Sequence, residues 1–358
     1  MSTTFPSHAI TRRHLQIALG LLWLLDGALQ LQPFMLGTGF ANDIIAPVAA
    51  GQPDFVGAPV RWGASVIAAH PVAWDVPFAA IQLLIGVGLL VPRTARLALA
   101  ASIPWSLGVW FFGEGLSGLA GGHASLLTGA PGAALLYGVL ALAAWPTRDP
   151  SHKAPARWLP LAWAALWVGG AIFQALPGQN TGTAVAAAIS SADAGAPAWL
   201  GRLHASVSGW TIHHGTAVVI ALVVSEALIG VAALHRRSRG PAATAGLVLA
   251  LAIWVVGQDV GQLYSGQATD PNTAPVIALL AIAVLGGRRA RASTGAHDGA
   301  SVPLLTVWRR VRVTRRRARF GHDRTDRWDR PPARTRDRAV GQASSPAASA
   351  AAGADRRD

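Results

Sequence analysis

Apolar residues along the first 287 positions neither alternate with polar ones nor keep to a single helical stripe. They run on, interrupted mainly by Gly, Pro and an occasional polar residue. Eight such runs stand out, at 14–32, 73–91, 94–113, 130–146, 158–176, 215–234, 242–258 and 272–287. Each reads as a helix crossing a hydrocarbon layer roughly 30 Å thick, whereas a barrel strand would alternate over about ten residues. The expected architecture is therefore all-α, a polytopic membrane protein of eight transmembrane helices. The first run follows Arg12, Arg13 and His14, as a secretory signal would. It carries Asp26, however, and has no small-residue cleavage site, so it reads as a retained first span.

The pattern repeats. Laying VWFFGEGLSGLAGGHASLLTGAPGAALL over IWVVGQDVGQLYSGQATDPNTAPVIALL pairs Trp110 with Trp254, Gly113 with Gly257, Glu114 with Gln258, Leu119 with Leu263, Pro131 with Pro275 and Leu135 with Leu279. The offset is 144 residues (254 − 110), and it also pairs Trp23 with Trp167, Gln30 with Gln174, Pro33 with Pro177, and LIGV at 84–87 with LIGV at 228–231. The chain reads as two tandem four-helix units, 14–147 and 158–287, joined by a linker at 148–157, with a short N-terminus at 1–13 and a tail at 288–358. A unit with an even number of spans re-enters from the side it started on, so the copies are parallel repeats and not inverted ones. The loops ahead of 73 and 215 hold DFVGAP at 54–59 and DAGAP at 193–197. Each runs into a Trp-containing stretch expected to lie along the outer membrane interface.

Composition agrees with a membrane chain: 52% hydrophobic, 13% charged and 14 Trp, with a mean hydropathy of +0.38 despite the polar tail. The absence of cysteine excludes disulfides, Fe–S clusters and covalently attached c-type haem. Basic residues set the orientation. Arg12 and Arg13, Arg93 and Arg96, Arg148 with Lys153 and Arg157, and Arg236 with Arg237 and Arg239 fall in every second connection, and the alternate ones hold only Arg61 and Arg202. Both termini are therefore expected in the cytoplasm, at the plasma membrane.

The first unit has Arg13, then Leu19 and Gly20, then Gly27, and after them IQLLIGVGLLVPRTARLALAAS. The second follows with SEALIGVAALHRRSRGPAATAGLVLA. That order of a glycine-rich helix, a basic turn and an Ala-rich helix resembles the DoxX-like family of four-helix membrane proteins, which includes DoxD-type small subunits of thiosulfate:quinone oxidoreductases. The resemblance implies a helical bundle, a quinone as cofactor and a redox partner subunit.

Carboxylates inside spans are expensive and so are candidates for function. Asp26 lies about 18 Å along the first span and Glu226 is as deep in the sixth; at the 144-residue offset they face Gly170 and Gln82, so neither is a duplicated structural feature. Glu114 and Asp259, at the outer ends of the third and seventh helices, are expected to exchange protons beside a bound quinone or to hold a cation; solvated helix ends are the plainer reading. With Gln82, Gln258, Trp110 and Trp254, the carboxylates Asp26 and Glu226 make up the expected cofactor-binding set. His70, His123 and His214 are possible N/O metal ligands beside the acidic pair, although no spacing such as HExxH supports them and interfacial hydrogen bonding is the usual alternative. The glycines of GEGLSGLAGG read as close-packing devices or a re-entrant turn.

The tail carries 18 Arg against 7 Asp, a net of +11 out of the chain's +13. Its segment 302–320 is expected on the cytoplasmic leaflet, with Val302, Leu305 and Trp308 inward and lipid as its partner. Nucleic acid is not expected. Three function classes follow: a membrane component of a quinone-linked redox system, a small-solute or ion transporter along the repeat axis, and a non-catalytic scaffold.

Overall fold

In the computed structural model, residues 10–147, 154–191 and 195–298 are described, with side chains through 286. The readings of the tail from 299 onward, of 1–9 and of Arg148 and Lys153 lie outside the described residues. Thr11 starts the first helix by a reciprocal cap. Its hydroxyl accepts the His14 N–H at 3.3 Å, and the His14 ring accepts the Thr11 N–H at 3.2 Å, so two orphan donors are satisfied before the apolar run begins. Helices then follow as α1 (Arg12–Leu29), α2 (Asp54–Ala69), α3 (Pro71–Leu90), α4 (Ala95–Gly108) and α5 (Ala133–Ala143). The second half holds α6 (Leu159–Gln174), α7 (Gly182–Ser191), α8 (Ala198–Leu234), α9 (Arg239–Val256) and α10 (Thr273–Asp298). No strand occurs among the described residues.

Four of these helical stretches are long and apolar enough to cross a membrane: Pro71–Leu90, Ala95–Gly113, Ala198–Leu234 and Arg239–Val256. Their outward faces expose large apolar side chains, among them Leu84, Leu97, Leu228 and Val248, which water would penalise and lipid would not. The α5 helix has only 11 residues, about 16 Å. It is apolar all round, and most of its residues are buried against α1, α4 and α10.

In the first half α1 packs along α3, and α4 packs on both α3 and α5; in the second, α6 packs along α8, and α9 on both α8 and α10. Close approach of α1 and α3 depends on paired glycines. A Cβ on Gly20 would lie 3.0 Å from the Gly86 carbonyl oxygen, and one on Gly86 2.9 Å from that of Gly20. One apolar core runs through both halves, from Leu19, Trp23 and Leu89 to Trp163, Trp167 and Ile229. A smaller core built on Met35, Phe40, Val56 and Val60 gathers the long first loop and α2 beside it.

The interfacial stretch expected at 197–210 is continuous with the span that follows it. Both belong to α8, which bends at His214, where φ is −117° and ψ is 20°. His70, 144 residues earlier, sits at the break that separates α2 from α3.

Candidate functional site

After α4 the chain widens into a turn at Val109–Gly113 and reaches Glu114. The next four residues, Gly115, Leu116, Ser117 and Gly118, are all left-handed, with φ of 53°, 54°, 52° and 78°. After α9 the same conformation recurs at Asp259, Val260, Gly261 and Gln262, with φ of 50°, 54°, 67° and 52°. Left-handed backbone at Leu116 and at β-branched Val260 is strained, and the surroundings must hold it. Trp110 fastens the first turn by donating to the Pro131 carbonyl at 2.7 Å, and Trp254 fastens the second through the Pro271 carbonyl at 2.8 Å.

Glu114 and Gln258 have one task in common. Each lends a side-chain oxygen to the N-terminus of the next helix: Glu114 Oε1 accepts the Ala134 N–H of α5 at 2.9 Å, and Gln258 Oε1 accepts the Ala274 N–H of α10 at 3.2 Å. A carboxylate there meets the favourable end of the α5 dipole, which offsets the unfavourable end of its own helix. Gln258 also donates to the Leu126 carbonyl and to Thr273, so its amide is fully engaged in holding the loops.

The first half encloses a cavity of about 410 Å³ bounded by α1, α2, α3, α4 and α5. Trp62, Trp74, Phe78, Trp105 and Phe112 wall it, and Trp62, Trp74 and Phe112 are also exposed on the flank of the bundle. Its polar end gathers Asp26, Glu114, Tyr137 and Asp270. Tyr137 donates to Asp26 Oδ1 at 3.2 Å. Asp270 arrives from the loop before α10 in the other half, held by the Thr269 hydroxyl at 2.8 Å and the Asn272 N–H at 2.7 Å. The carboxyl groups of Asp26, Glu114 and Asp270 are close enough to repel one another, and no described basic residue lies within ion-pair distance of any of them. Burial, and next the Asp270 carboxyl, push Glu114 up to about 8 against the hydrogen bond from Ala134; burial likewise raises Asp270.

Two more polar groups on this cavity lack partners. The Gln82 side chain is buried and its Oε1 accepts no hydrogen bond, and the Trp105 Nε1–H donates none. A second cavity, about 340 Å³, lies on the loop side and is lined by Ser117, His123 and Asn272. Gly113, Glu114, Ala133 and Asp270 line both cavities and so form the wall between them.

The chain matches no protein-family model, no curated protein and no solved structure. The site therefore has to be read from its own geometry.

Of the residues expected from the sequence, Asp26, Gln82 and Glu114 converge on the cavity. Trp110, Trp254 and Gln258 fasten loops instead, although Gln258 also lines a smaller cavity of about 270 Å³. Asp259 is buried, takes a hydrogen bond from Tyr264 and lines none of the three cavities. Glu226 is buried in the second half, where the space opened by Gly170 is taken by Leu126. A Cβ on Gly170 would meet Leu126 Cδ1 at 2.3 Å and Glu226 Oε2 at 3.0 Å. Among the described residues no three His, Asp or Glu side chains gather as metal ligands. His214 stacks on Trp210 with ring centres 4.6 Å apart, His70 is exposed at the α2–α3 junction, and His123 packs against Gly118 and Gly121. Asp270, Tyr137 and Asp75 are additions to the sequence reading. Asp75 is buried on α3 and accepts from Gln30 at 3.0 Å; as an ionisable group within the run 73–91 it was visible by the rule that marked Asp26 and Glu226.

Proposed function

We propose that this protein is an integral membrane protein of two fused DoxX-like four-helix units, with eight spans and cytoplasmic termini in the plasma membrane, and that it serves as the membrane component of a quinone-linked redox system. The observation that carries the ligand site is the aromatic-walled cavity of the first half, whose polar end holds acids shared with a second cavity on the loop side. Its exposed mouth at Trp62, Trp74 and Phe112 suits a ligand arriving from lipid. The residues fit a quinone head group: the Trp105 N–H is an unsatisfied donor for a ring carbonyl, and Gln82 Oε1 an unsatisfied acceptor for a ring hydroxyl. A bound quinone would supply two-electron, two-proton chemistry that the side chains of a Cys-free chain lack. Glu114 and Asp270 hold exchangeable protons at the wall between the two cavities, and Asp26 with Tyr137 orders the deeper end. Electrons come from a partner subunit.

What supports the two-unit reading is the recurrence of the left-handed turn and its Trp clamp at corresponding places. Past the turn the correspondence shifts by four residues. The clamp and the helix cap relate Pro131 to Pro271 and Ala134 to Ala274, an offset of 140 (271 − 131), where the ungapped overlay relates Pro131 to Pro275.

The test is native mass spectrometry of the full chain in mild detergent, wild type against a Glu114→Gln, Asp270→Asn double variant. A quinone-sized adduct on the wild type that the double variant loses is expected. Bare protein in both, with added quinone present, rejects the redox reading. A second reading, carriage of a small solute or ion, is favoured by the acids having no described basic partner. Because Glu226 does not reach this cavity, that reading places the site within the first half and not between Asp26 and Glu226 on the repeat axis.

A further inference from the structure

We infer that the cavity of the first half takes a small organic cation, an alkylammonium, and that binding displaces a proton into the loop-side cavity. The inference rests on the solute-carrier reading of this site and needs no redox role. Three acids from three different parts of the chain, α1, the turn after α4 and the loop before α10, meet at one end of an apolar chamber. A neutral ligand would leave all three either protonated or repelling one another. A cation satisfies them by direct attraction.

The walls point the same way. Trp62, Trp74, Phe78, Trp105 and Phe112 present ring surface around the chamber, and aromatic faces combined with carboxylates are how proteins hold substituted ammonium groups. The second, independent observation is Gln82, nine-tenths buried on the cavity wall, whose Oε1 has no donor to accept from. An ammonium N–H or a polarised methyl group would meet it. The chamber, at about 410 Å³, has room for such an ion with its alkyl substituents.

The proton balance is simple. The acid O–H at Glu114 or Asp270 gives up its proton to water in the loop-side cavity that both residues also line, and the carboxylate left behind pairs with the ammonium. No electrons move. The groups facing Glu114 are Asp270, Asp26 on α1, Tyr137 on α5 and, across the loop-side cavity, Ser117 and His123. Since Glu114 titrates near 8, protons compete with the cation below that pH and affinity rises as pH rises towards it.

The experiment is calorimetric titration of tetraethylammonium into the purified full chain in neutral detergent, run in two buffers of different ionisation enthalpy, with a short-chain quinone analogue titrated in parallel. Expected are saturable cation binding, release of about one proton per cation near pH 7, and affinity improving up to about tenfold per pH unit between 6 and 8. Asp270→Asn and Glu114→Gln should each weaken binding at least tenfold, while Asp54→Asn, an exposed acid on α2, changes nothing. Quinone binding without cation binding overturns the inference and leaves the ligand site standing. Binding of neither overturns both. Cation uptake indifferent to pH and to all three variants is adsorption to the exposed aromatic flank and also overturns it.

Discussion

Glu114 shows how one side chain can carry structure and chemistry together. Its Oε1 caps α5, while the other oxygen is within 3.4 Å of the Ser117 hydroxyl. With its titration near 8 and an ordinary Glu near 4.5, the folded chain holds a proton in this window that the unfolded chain releases. Folding stability therefore falls as pH rises from about 4.5 to about 8, and the raised Asp270 adds to the same trend. Glu114→Gln keeps an acceptor for the Ala134 N–H and removes the titration. Its melting temperature, followed by Trp fluorescence in detergent, should vary less between pH 5 and 8 than that of the wild type, and an unchanged slope would take Glu114 out of this account. Depth in an apolar run made Asp26 legible from the sequence, and a place at the outer end of the third helix made Glu114 legible. Asp270 was not legible, because it lies in a polar loop and reaches the site only by crossing from the other half, 244 residues from Asp26 (270 − 26). The paired residues share structural tasks: Trp110 and Trp254 clamp their loops, and Glu114 and Gln258 cap the helices that follow.

At the scale of elements, the connection from α4 to α5 is where sequence, strain and site meet. Gly132 precedes α5 with φ of 108°, and a Cβ there would stand 1.9 Å from Glu114 Oε2. Gly132→Ala should destabilise the chain by about 2 kcal/mol or more, through both the backbone and the clash. Adding Glu114→Ala should return only the steric part, so the double-variant cycle in detergent melts should show a favourable coupling. Strict additivity would mean that the two residues do not meet. The helices themselves were largely legible: α3, α4 and α9 lie where their apolar runs are, since length and hydropathy decide there. The run 130–146 overestimated the length of α5, which has only 11 residues because Pro131 and Gly132 delay its start. The bend at His214 was equally invisible, because nothing in the local composition separates a bent helix from two helices.

At the scale of the whole molecule the two halves keep different polar groups. At the 144-residue offset Asp26 faces Gly170, Asp75 faces Val219 and Ser102 faces Gly246, while Glu226 faces Gln82, Asp259 faces Gly115 and His204 faces Val60, so each half keeps polar groups that the other lacks. One consequence is visible in the core: Ser102 accepts the Trp23 indole N–H at 2.9 Å, while the matching Trp167 indole N–H is buried without a partner. The proposed function then requires the mouth of the first-half cavity and both clamped turns to lie on one side of the bilayer, the side opposite the arginine-rich connections. A chain with no cysteine makes this directly measurable, because a single introduced thiol reports its own side. Thr183→Cys and Gln267→Cys, both at exposed positions, should react with a membrane-impermeant maleimide in intact cells. Arg93→Cys and Arg236→Cys, also exposed, should react only after the membrane is opened. The reverse labelling would invert the orientation and turn the proton exit towards the cytoplasm. Labelling of Arg93→Cys and Arg236→Cys, one in each half, from different sides would break the parallel arrangement of the halves, and with it the eight-span reading, because the four spans between them have to return both turns to the same face.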